Sequence, residues 1–321
     1  MWLRRVADTP LLTAAEIRSR EPRLADPSSV FNPGALRAGG RIHLMLRVQS
    51  RGRETFLVMA ASEDGLRVTV APEPIHLAGL DALGEPVHHV YDARLTTLDG
   101  LHHALVAVDL DDRCELGLLS SAELRDWQWR GLVSRGGNRN GVLFPARVGG
   151  RALRLDRPNR VAAGAAGAGD AIWLSESDDL LHWRPVGPVA AGRPRSWDEL
   201  LGPGPPPVLT EAGWLALYHG VATHHGGVNV YQAGALLLDA DDPTRVLART
   251  RNNLLEPRLP WELSGQVPNV VFPSGMVLPT HDGPGPAPAD ARVLVYYGAA
   301  DTCIGVAEST VGELIRACQE D

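Results

Sequence analysis

Short runs of apolar residues, separated by glycine, proline and Asp-Gly turns, make up most of the chain. Apolar runs bounded by such turn residues are typical of β-strands. Helical spacing of apolar residues is rare and is clearest near the C-terminus, where Val311, Leu314 and Cys318 predict a helix over residues 309–318. A shorter helical turn is predicted to open at Thr13. The pattern therefore predicts an all-β protein with a short C-terminal helix.

The strand pattern recurs as five versions of one unit. Each unit opens with a corner of small residues or proline, passes through a turn into a second strand, and ends in a third strand and turn. The period is roughly 50 to 65 residues, at or above the range for propeller blades. The opening corners are Asn32-Pro33-Gly34, Tyr91-Asp92-Ala93, Leu143-Phe144-Pro145, Pro205-Pro206-Pro207 and Val271-Phe272-Pro273.

Five units predict one five-bladed β-propeller domain over residues 1–321. The first strand of each blade would line the central funnel, so the opening corners are expected to face one shared site. A two-sheet sandwich with coincidental turn spacing is the alternative. The predicted blades cover residues 30–80, 88–135, 140–190, 200–250 and 265–310.

Composition narrows the class of protein. The chain is 44% hydrophobic with a formal charge of −7, which argues against nucleic-acid binding through bulk charge. No apolar run reaches the roughly 18 residues of a membrane span, and no signal-peptide core follows the N-terminal residues. The cysteines, Cys114, Cys303 and Cys318, are widely spaced without a CxxC motif, which fits reduced thiols and predicts a cytoplasmic location.

The chain has no lysine, and all 31 of its lysine-or-arginine positions are arginine, which excludes a lysine Schiff base, a pyridoxal phosphate anchor and a P-loop lysine. The most informative arginines are Arg139 and Arg157. The sequence between them predicts a strand, a Gly149-Gly150 turn and a returning strand. Such a hairpin can set two guanidiniums at one end of a strand pair, where their planar forks suit a tetrahedral oxyanion such as phosphate.

No metal site is predicted. The histidine pairs of the sequence lack a carboxylate or thiol partner at ligand spacing, so they are expected to be solvated turn residues. The pairs considered are His88-His89, His102-His103 and His224-His225.

The corner motifs, taken in order from about Asn32 to about Leu314, resemble those of family 130 of the glycoside hydrolases, the β-mannoside phosphorylases and β-mannosidases. The motifs that carry the resemblance are Asn32-Pro33-Gly34 with Leu46-Arg47-Val48, Tyr91-Asp92-Ala93-Arg94, Leu143-Phe144-Pro145 with Arg157-Pro158, Gly202-Pro203-Gly204-Pro205, Tyr218-His219-Gly220, Pro268-Asn269-Val270-Val271-Phe272-Pro273 and Tyr296-Tyr297-Gly298-Ala299-Ala300-Asp301.

The resemblance implies a five-bladed propeller with its active site in the funnel. It implies inverting phosphorolysis of a short β-mannoside to α-mannose 1-phosphate and a free acceptor sugar, with inorganic phosphate as co-substrate and no cofactor. Asp92 would be the general acid, reaching the glycosidic oxygen through a mannose hydroxyl. The other implied contacts are Arg139, Arg157 and His219 for phosphate, Asn32, Arg47, Asn140 and Asp301 for mannose, and Tyr231 and Phe272 for the acceptor sugar.

The expected partners are therefore a β-mannoside oligosaccharide and phosphate, with neither nucleic acid nor a membrane. The sequence is compatible with a homo-oligomer but does not define one. Phosphate is already an anion and needs a cationic clamp rather than a second carboxylate, so one acid with Arg139, Arg157 and His219 favours phosphorolysis.

Two positions depart from the family pattern. Leu200-Leu201 stands where phosphorylases often carry a lysine, and Asp156 stands where a histidine is common. Asp156 could act as a base for water, so a β-mannoside hydrolase is the runner-up.

Structural roles are the remaining alternatives. Asp92 could pair with Arg94, and His219 could be a hydrogen-bonded strand histidine. A non-catalytic sugar-binding propeller is the corresponding alternative for the whole chain.

Overall fold

The computed structural model describes residues 2–158, 169–223, 228–281 and 285–320. Its strands form five mainly antiparallel sheets, each of which is one blade of a five-bladed β-propeller. The predicted fold class is confirmed, and the two-sheet sandwich is wrong.

The first blade is a meander of consecutive strands, and the second is such a meander with a short parallel strand added at its edge. A short strand near the N-terminus, β1 (Arg4–Arg5), precedes them and belongs to the last blade. The first blade contains β2 (Ser29–Ala38), β3 (Arg41–Gln49), β4 (Thr55–Ser62) and β5 (Thr69–Pro74). The second contains β6 (Leu77–Ala78), β7 (His89–Leu98), β8 (Leu101–Asp109), β9 (Cys114–Ser121) and β10 (Trp127–Leu132). Short 3₁₀ helices cover Ala14–Glu16, Pro22–Leu24 and Leu80–Leu83.

The third blade repeats the meander, and the fourth has a divided inner strand. Segment 204–207 interrupts that strand because it contains consecutive prolines, which lack the N–H donor a sheet needs. The third blade contains β11 (Asn138–Leu143), β12 (Ala152–Pro158), β13 (Ala171–Ser177) and β14 (Arg184–Ala191). The fourth contains β15 (Leu200–Pro203), β16 (Val208–Thr210), β17 (Gly213–Thr223), β18 (Asn229–Leu238) and β19 (Val246–Arg249).

The fifth blade closes the ring with a strand from the other end of the chain. It contains β20 (Val271–Val277), β21 (Arg292–Ala299) and β22 (Cys303–Thr310), and β1 pairs with β22 as its outer strand. A short helix, α1 (Pro260–Leu263), precedes β20. A second helix, α2 (Val311–Gln319), follows β22, which confirms the predicted C-terminal helix.

A buried ion pair secures this closure. Arg5 on β1 donates from Nε and Nη2 to the two carboxylate oxygens of Glu262, both over 2.7 Å. The hydroxyl of Tyr297 on β21 donates to the same carboxylate over 2.9 Å. Because Glu262 is fully buried, loss of either charged partner would leave an uncompensated charge in the protein interior.

The hydrophobic core lies between neighbouring blades. Phe144 beside the third blade and Trp214 on the fourth meet edge to face, with ring centroids 5.0 Å apart. Leu105 on the second blade and Leu143 on the third belong to one buried cluster in the same way. Packing between blades therefore fixes the positions of the inner strands around the funnel.

Candidate active site

A cavity of about 330 Å³ lies where the inner strands converge. Residues from all five blades line it, including every sequence-predicted site residue except His219, which packs against Phe272 with ring centroids 4.6 Å apart. The lining residues are Asn32, Arg47, Tyr91, Asp92, Asp109, Arg139, Asn140, Arg157, Tyr231, Val267, Val270, Phe272 and Asp301.

The inner strands of the first three blades share one local feature. Asn32, Asp92 and Asn140 have φ angles of 49°, 54° and 56°, and the pairing register shifts at each of them. Such a bulge takes a side chain out of the alternation between sheet faces. Asn and Asp adopt the left-handed backbone more readily than other residues with a Cβ, so these residue types suit the bulge and direct polar groups into the funnel.

The carboxylate of Asp92 is held by the first blade. Its Oδ1 accepts from Asn32 Nδ2 over 3.1 Å and from Arg47 Nη1 over 3.0 Å. Arg94 donates instead to the backbone carbonyl of Asp92, over 3.0 Å. The structural Asp92–Arg94 side-chain pair considered from the sequence therefore does not form.

Two aromatic rings orient the Arg47 guanidinium. Its central carbon lies 4.5 Å from the ring centroid of Phe31 and 4.2 Å from that of Tyr91. Contact of a cation with the ring faces is attractive, so Arg47 is held by packing as well as by Asp92.

The Arg139–Arg157 hairpin forms as the sequence predicts. The two residues stand directly opposite each other in the β11–β12 pair. Burial and the nearby charge of Arg139 lower the pKa of Arg157. The Nε atom of each guanidinium is buried without a hydrogen-bond partner among the described residues. The hairpin therefore presents two adjacent cations with unused donors.

His219 on β17 lies beside this pair. Burial, followed by the charges of Arg157 and Arg94, holds its pKa well below the usual range, which favours a neutral ring. The backbone of Pro203 opposes this shift, but neither ring nitrogen makes a hydrogen bond of normal geometry to the described part of the chain. The described structure therefore gives little support to the alternative of a hydrogen-bonded strand histidine.

Space for His219 and Arg157 depends on a glycine in the fourth blade. A Cβ at Gly202 would lie 2.6 Å from Cε1 of His219 and 2.8 Å from Cδ of Arg157. Both distances are shorter than normal contacts. The glycine of the Gly202-Pro203-Gly204 motif therefore lets these two side chains approach the same strand.

Asp301 lies in the turn between β21 and β22, with a φ of 49°. Burial, together with the charge of Asp92, raises its pKa to about 6, and Arg47 partly offsets this shift. Asp301 and Asp92 thus have different surroundings in the same cavity, since Asp92 accepts two hydrogen bonds from Asn32 and Arg47.

Sequence reasoning did not assign a role to four lining residues. The hydroxyl of Tyr91 donates to Asp109 over 2.9 Å, and the Asp109 carboxylate lies 3.8 Å from Nη2 of Arg139. Val267 and Val270, just before β20, add an apolar wall. Asp109 ends the strand that pairs with β7, so its place next to the corner motif was the available signal.

Asp156 lies outside the cavity lining. It is 2% exposed, and its carboxylate accepts from Arg154 Nε and from the Ser175 hydroxyl, each over 2.6 Å. Alternate residues of a strand face opposite sides of its sheet, so Asp156 points away from the side that Arg157 faces. The suggestion that Asp156 serves as a base for water is therefore not supported by its position.

Within the described ranges, no three His, Cys, Asp or Glu side chains are grouped as metal ligands. His88 instead contacts the exposed carboxylate of Asp111 over 2.6 Å. His224 and His225 lie outside the described residues. Neither α-helix in the described part of the chain has the length and apolar character needed to cross a bilayer.

Comparison with known proteins identifies relatives along the whole chain. The sequence model of glycoside hydrolase family 130, described as beta-1,4-mannooligosaccharide phosphorylase, matches residues 2–320. A 1,2-beta-oligomannan phosphorylase of Thermoanaerobacter sp. is 31% identical over 318 residues, covering 95% of this chain and 96% of the relative. A beta-1,4-mannooligosaccharide phosphorylase of Ruminococcus albus is 28% identical over 304 residues, covering 91% of this chain and 86% of the relative. Both relatives carry names of the enzyme class that the sequence predicts, phosphorylases of β-mannosides.

A solved structure supports the fold. The beta-1,2-mannobiose phosphorylase from Listeria innocua, in complex with beta-1,2-mannobiose, superposes with a TM-score of 0.84 over 99% of each chain. Its sequence is 23% identical, so this likeness is evidence for the fold alone. The family match and the relative at 31% identity show the family as well as the fold. The chain belongs to family 130 of the glycoside hydrolases, the family that its motifs resemble.

Proposed function

We propose that residues 1–321 act as one propeller domain that phosphorolyses a short β-mannoside with inversion, giving α-mannose 1-phosphate and a free acceptor sugar. The observation that carries this proposal is a set of buried, unpartnered nitrogens, two in the cavity lining and two on the histidine packed behind it. They are Nε of Arg139, Nε of Arg157 and both ring nitrogens of His219, among the residues described. Asp92 lines the same cavity.

Phosphate is the ligand class that suits these groups. A buried donor without a partner costs on the order of 1–3 kcal/mol, and a tetrahedral oxyanion can accept from several donors at once. Guanidinium forks match phosphate geometry. His219 is neutral and can donate from one ring nitrogen, so it adds a hydrogen bond without another like charge beside Arg157.

The reaction needs an acid and a nucleophile on opposite sides of the sugar ring. A phosphate oxygen forms the new bond to C1 while the bond from C1 to the glycosidic oxygen breaks. The proton passes from Asp92, through a mannose hydroxyl as the family resemblance implies, to the departing acceptor sugar. Asn32 and Arg47 then stabilise the resulting Asp92 carboxylate, because both already donate to Oδ1.

The remaining lining residues suit a sugar. Arg47, Asn140 and Asp301 provide polar groups for mannose hydroxyls. Tyr231 and Phe272 provide ring faces for the acceptor sugar, and Val267 extends this apolar side. No cofactor enters the proposed reaction, since phosphate supplies the nucleophile.

The location in the cell is also a proposal. Cys114, Cys303 and Cys318 are buried free thiols, which fits a reducing compartment such as the cytoplasm.

β-Mannoside hydrolysis is the second candidate, and Asp109 is the observation in its favour. It is a third carboxylate of the cavity, beside Arg139, where it could accept a proton from water. A non-catalytic sugar-binding protein is the third alternative. It predicts that Asp92→Asn changes no measurable behaviour.

Product analysis separates these functions. The protein is incubated with β-1,2- and β-1,4-mannobiose, each with and without inorganic phosphate, and mannose and mannose 1-phosphate are quantified. We expect mannose 1-phosphate only when phosphate is present. Release of mannose at the same rate without phosphate would overturn phosphorolysis and favour the hydrolase, and no product with any disaccharide would favour a binding protein.

A further inference from the structure

Arg94 is a buried cation that stands in one of the motifs of the resemblance but has no role in the proposed chemistry. It lies on β7, two residues after Asp92, and is 1% exposed. Within the described residues it forms no salt bridge to a carboxylate, whereas the buried Arg154 pairs with Asp156 over 2.6 Å. Burying a charge without a counter-charge is costly, so Arg94 requires an explanation.

The guanidinium of Arg94 links two blades next to the cavity lining. Its Nε donates over 2.8 Å to the carbonyl of Gly204, which lies between the two halves of the inner strand of the fourth blade. Its Nη1 donates over 3.0 Å to the carbonyl of Asp92. One side chain thus ties the strained backbone of Asp92 to the blade that carries His219.

The rest of the guanidinium lies among the groups of the anion site. Its central carbon is 5.3 Å from the ring centroid of Phe272, the ring that packs on His219. Its Nη2 is buried without a hydrogen-bond partner in the part of the chain described. Burial lowers the pKa of Arg94 to about 10; the charge of Asp92 opposes this shift, and the charge of Arg157 adds to it.

We propose that Arg94 is a positioning residue of the phosphate site, which fixes the backbone of Asp92 and places a buried positive charge behind Arg157 and His219. This inference rests on the proposed phosphorolysis. Inside a protein the lower dielectric strengthens interactions between charges, so a cation in contact with the cavity-lining residues attracts a phosphate dianion without touching it. A neutral side chain could satisfy the Gly204 carbonyl, but it would not supply this charge.

Two substitutions separate charge from geometry. Arg94→Gln removes the charge and keeps a donor, so we expect the KM for phosphate to rise about tenfold or more, with the KM for mannobiose changed less than about threefold. Arg94→Lys keeps the charge but loses the fork, so we expect the phosphate KM to stay within about threefold and kcat to fall about tenfold or more. If Arg94 served folding alone, one substitution would not change mainly the phosphate KM while the other changed mainly kcat.

Arg154→Gln is the matched control. Arg154 is also buried and also donates to a backbone carbonyl, that of Val133 over 2.9 Å, but it lies outside the cavity lining. We expect Arg154→Gln to lower the melting temperature without changing the phosphate KM. An equal rise of the phosphate KM in Arg154→Gln and Arg94→Gln would overturn the inference, because it would reflect a general loss of stability.

The outcomes also distinguish this inference from the proposed function. If product formation by the wild-type protein does not depend on phosphate, both the proposed function and the role of Arg94 are contradicted. Phosphate-dependent wild-type protein with an unchanged phosphate KM in Arg94→Gln contradicts the role of Arg94 alone. If Arg94→Gln does not fold, Arg94→Lys decides the matter, since a large rise of its phosphate KM, or an unchanged kcat, would contradict the inference.

Discussion

Arg47 donates from Nη1 to Oδ1 of Asp92 over 3.0 Å, from one blade to the next. The guanidinium is held in place by the faces of two aromatic rings, so the contact does not depend on a mobile side chain. The proposed acid thus has a cation in place for the charge it acquires when its proton leaves.

Asp92→Asn tests the proposed acid. The amide can still accept from Arg47 and Asn32 and tolerates the left-handed backbone, but it has no proton to donate to the leaving group. We expect kcat to fall by about 10²–10⁴-fold, with the melting temperature nearly unchanged. Steady-state kinetics and thermal unfolding measure the two quantities, and wild-type rates in the variant would remove Asp92 from the mechanism.

Arg157→Ala tests the cationic clamp. Loss of one charge-assisted contact is expected to raise the KM for phosphate roughly 10- to 100-fold, with a smaller effect on the KM for the mannoside. Arg147 provides the control, because it pairs with Asp99 outside the cavity lining, over 2.8 Å. Arg147→Ala should leave both constants unchanged. The same rise in both variants would show that the clamp is assigned to the wrong arginine.

Gly202→Ala tests the packing behind the clamp. The added Cβ would force His219 or Arg157 out of position, so we expect kcat/KM for phosphate to fall by roughly tenfold or more. Gly187 is the matched site, because a Cβ added there would have no neighbouring atom within 4 Å, and Gly187→Ala should behave as wild type. Unfolding curves for both variants separate a local shift from a loss of fold. Full activity in Gly202→Ala would contradict the close approach.

The sequence predicted the features that depend on neighbouring residues. The repeat of corner motifs was sufficient for the propeller, and the Gly149-Gly150 turn was sufficient for the hairpin that carries both arginines. The register shift between Arg139 and Val142 then sets Arg139 opposite Arg157. Corner residues of the first two blades, Asn32 and Asp92, line the cavity as expected, whereas the predicted corners at Leu143-Phe144-Pro145 and Pro205-Pro206-Pro207 do not. These are local signals repeated along the chain.

Contacts between distant segments were not predictable in the same way. Arg94 was considered a partner of the Asp92 carboxylate, whereas it reaches the carbonyl of Gly204 from another blade. Asp109 reaches the cavity because β8 pairs with β7, and the residues next to Asp109 in the sequence do not indicate this pairing. The two-residue β1 is too short for any periodicity, so the closure of the fifth blade could not be foreseen.

Asp301→Asn tests whether the buried carboxyl group of Asp301 lowers stability while it contributes to activity. The folded pKa of about 6 lies above the ordinary value of 3.8, so the folded state holds this proton more tightly than the unfolded state. Ionisation of Asp301 therefore removes stability as the pH rises through that interval. At about pH 8 we expect Asp301→Asn to be more stable than wild type by at most roughly 3 kcal/mol, with the difference vanishing below about pH 4.

Denaturant unfolding across this pH range measures the effect, and activity should fall in the same variant because a sugar contact is lost. Asp241→Asn, at an exposed bend, is the control and should change stability by less than about 0.5 kcal/mol at any pH. A stability difference for Asp301→Asn that does not depend on pH would contradict the prediction.

The pairing of β1 with β22 also has a consequence for the order of folding. A strand made early in synthesis cannot take its place until β22, about three hundred residues later, has left the ribosome, so the ring stays open until then. Phe272 and Asp301 belong to the blade that is completed last. Release of β1 would therefore loosen the sugar side of the cavity first, while the Arg139–Arg157 hairpin, which is local in sequence, can form before closure and outlast its loss.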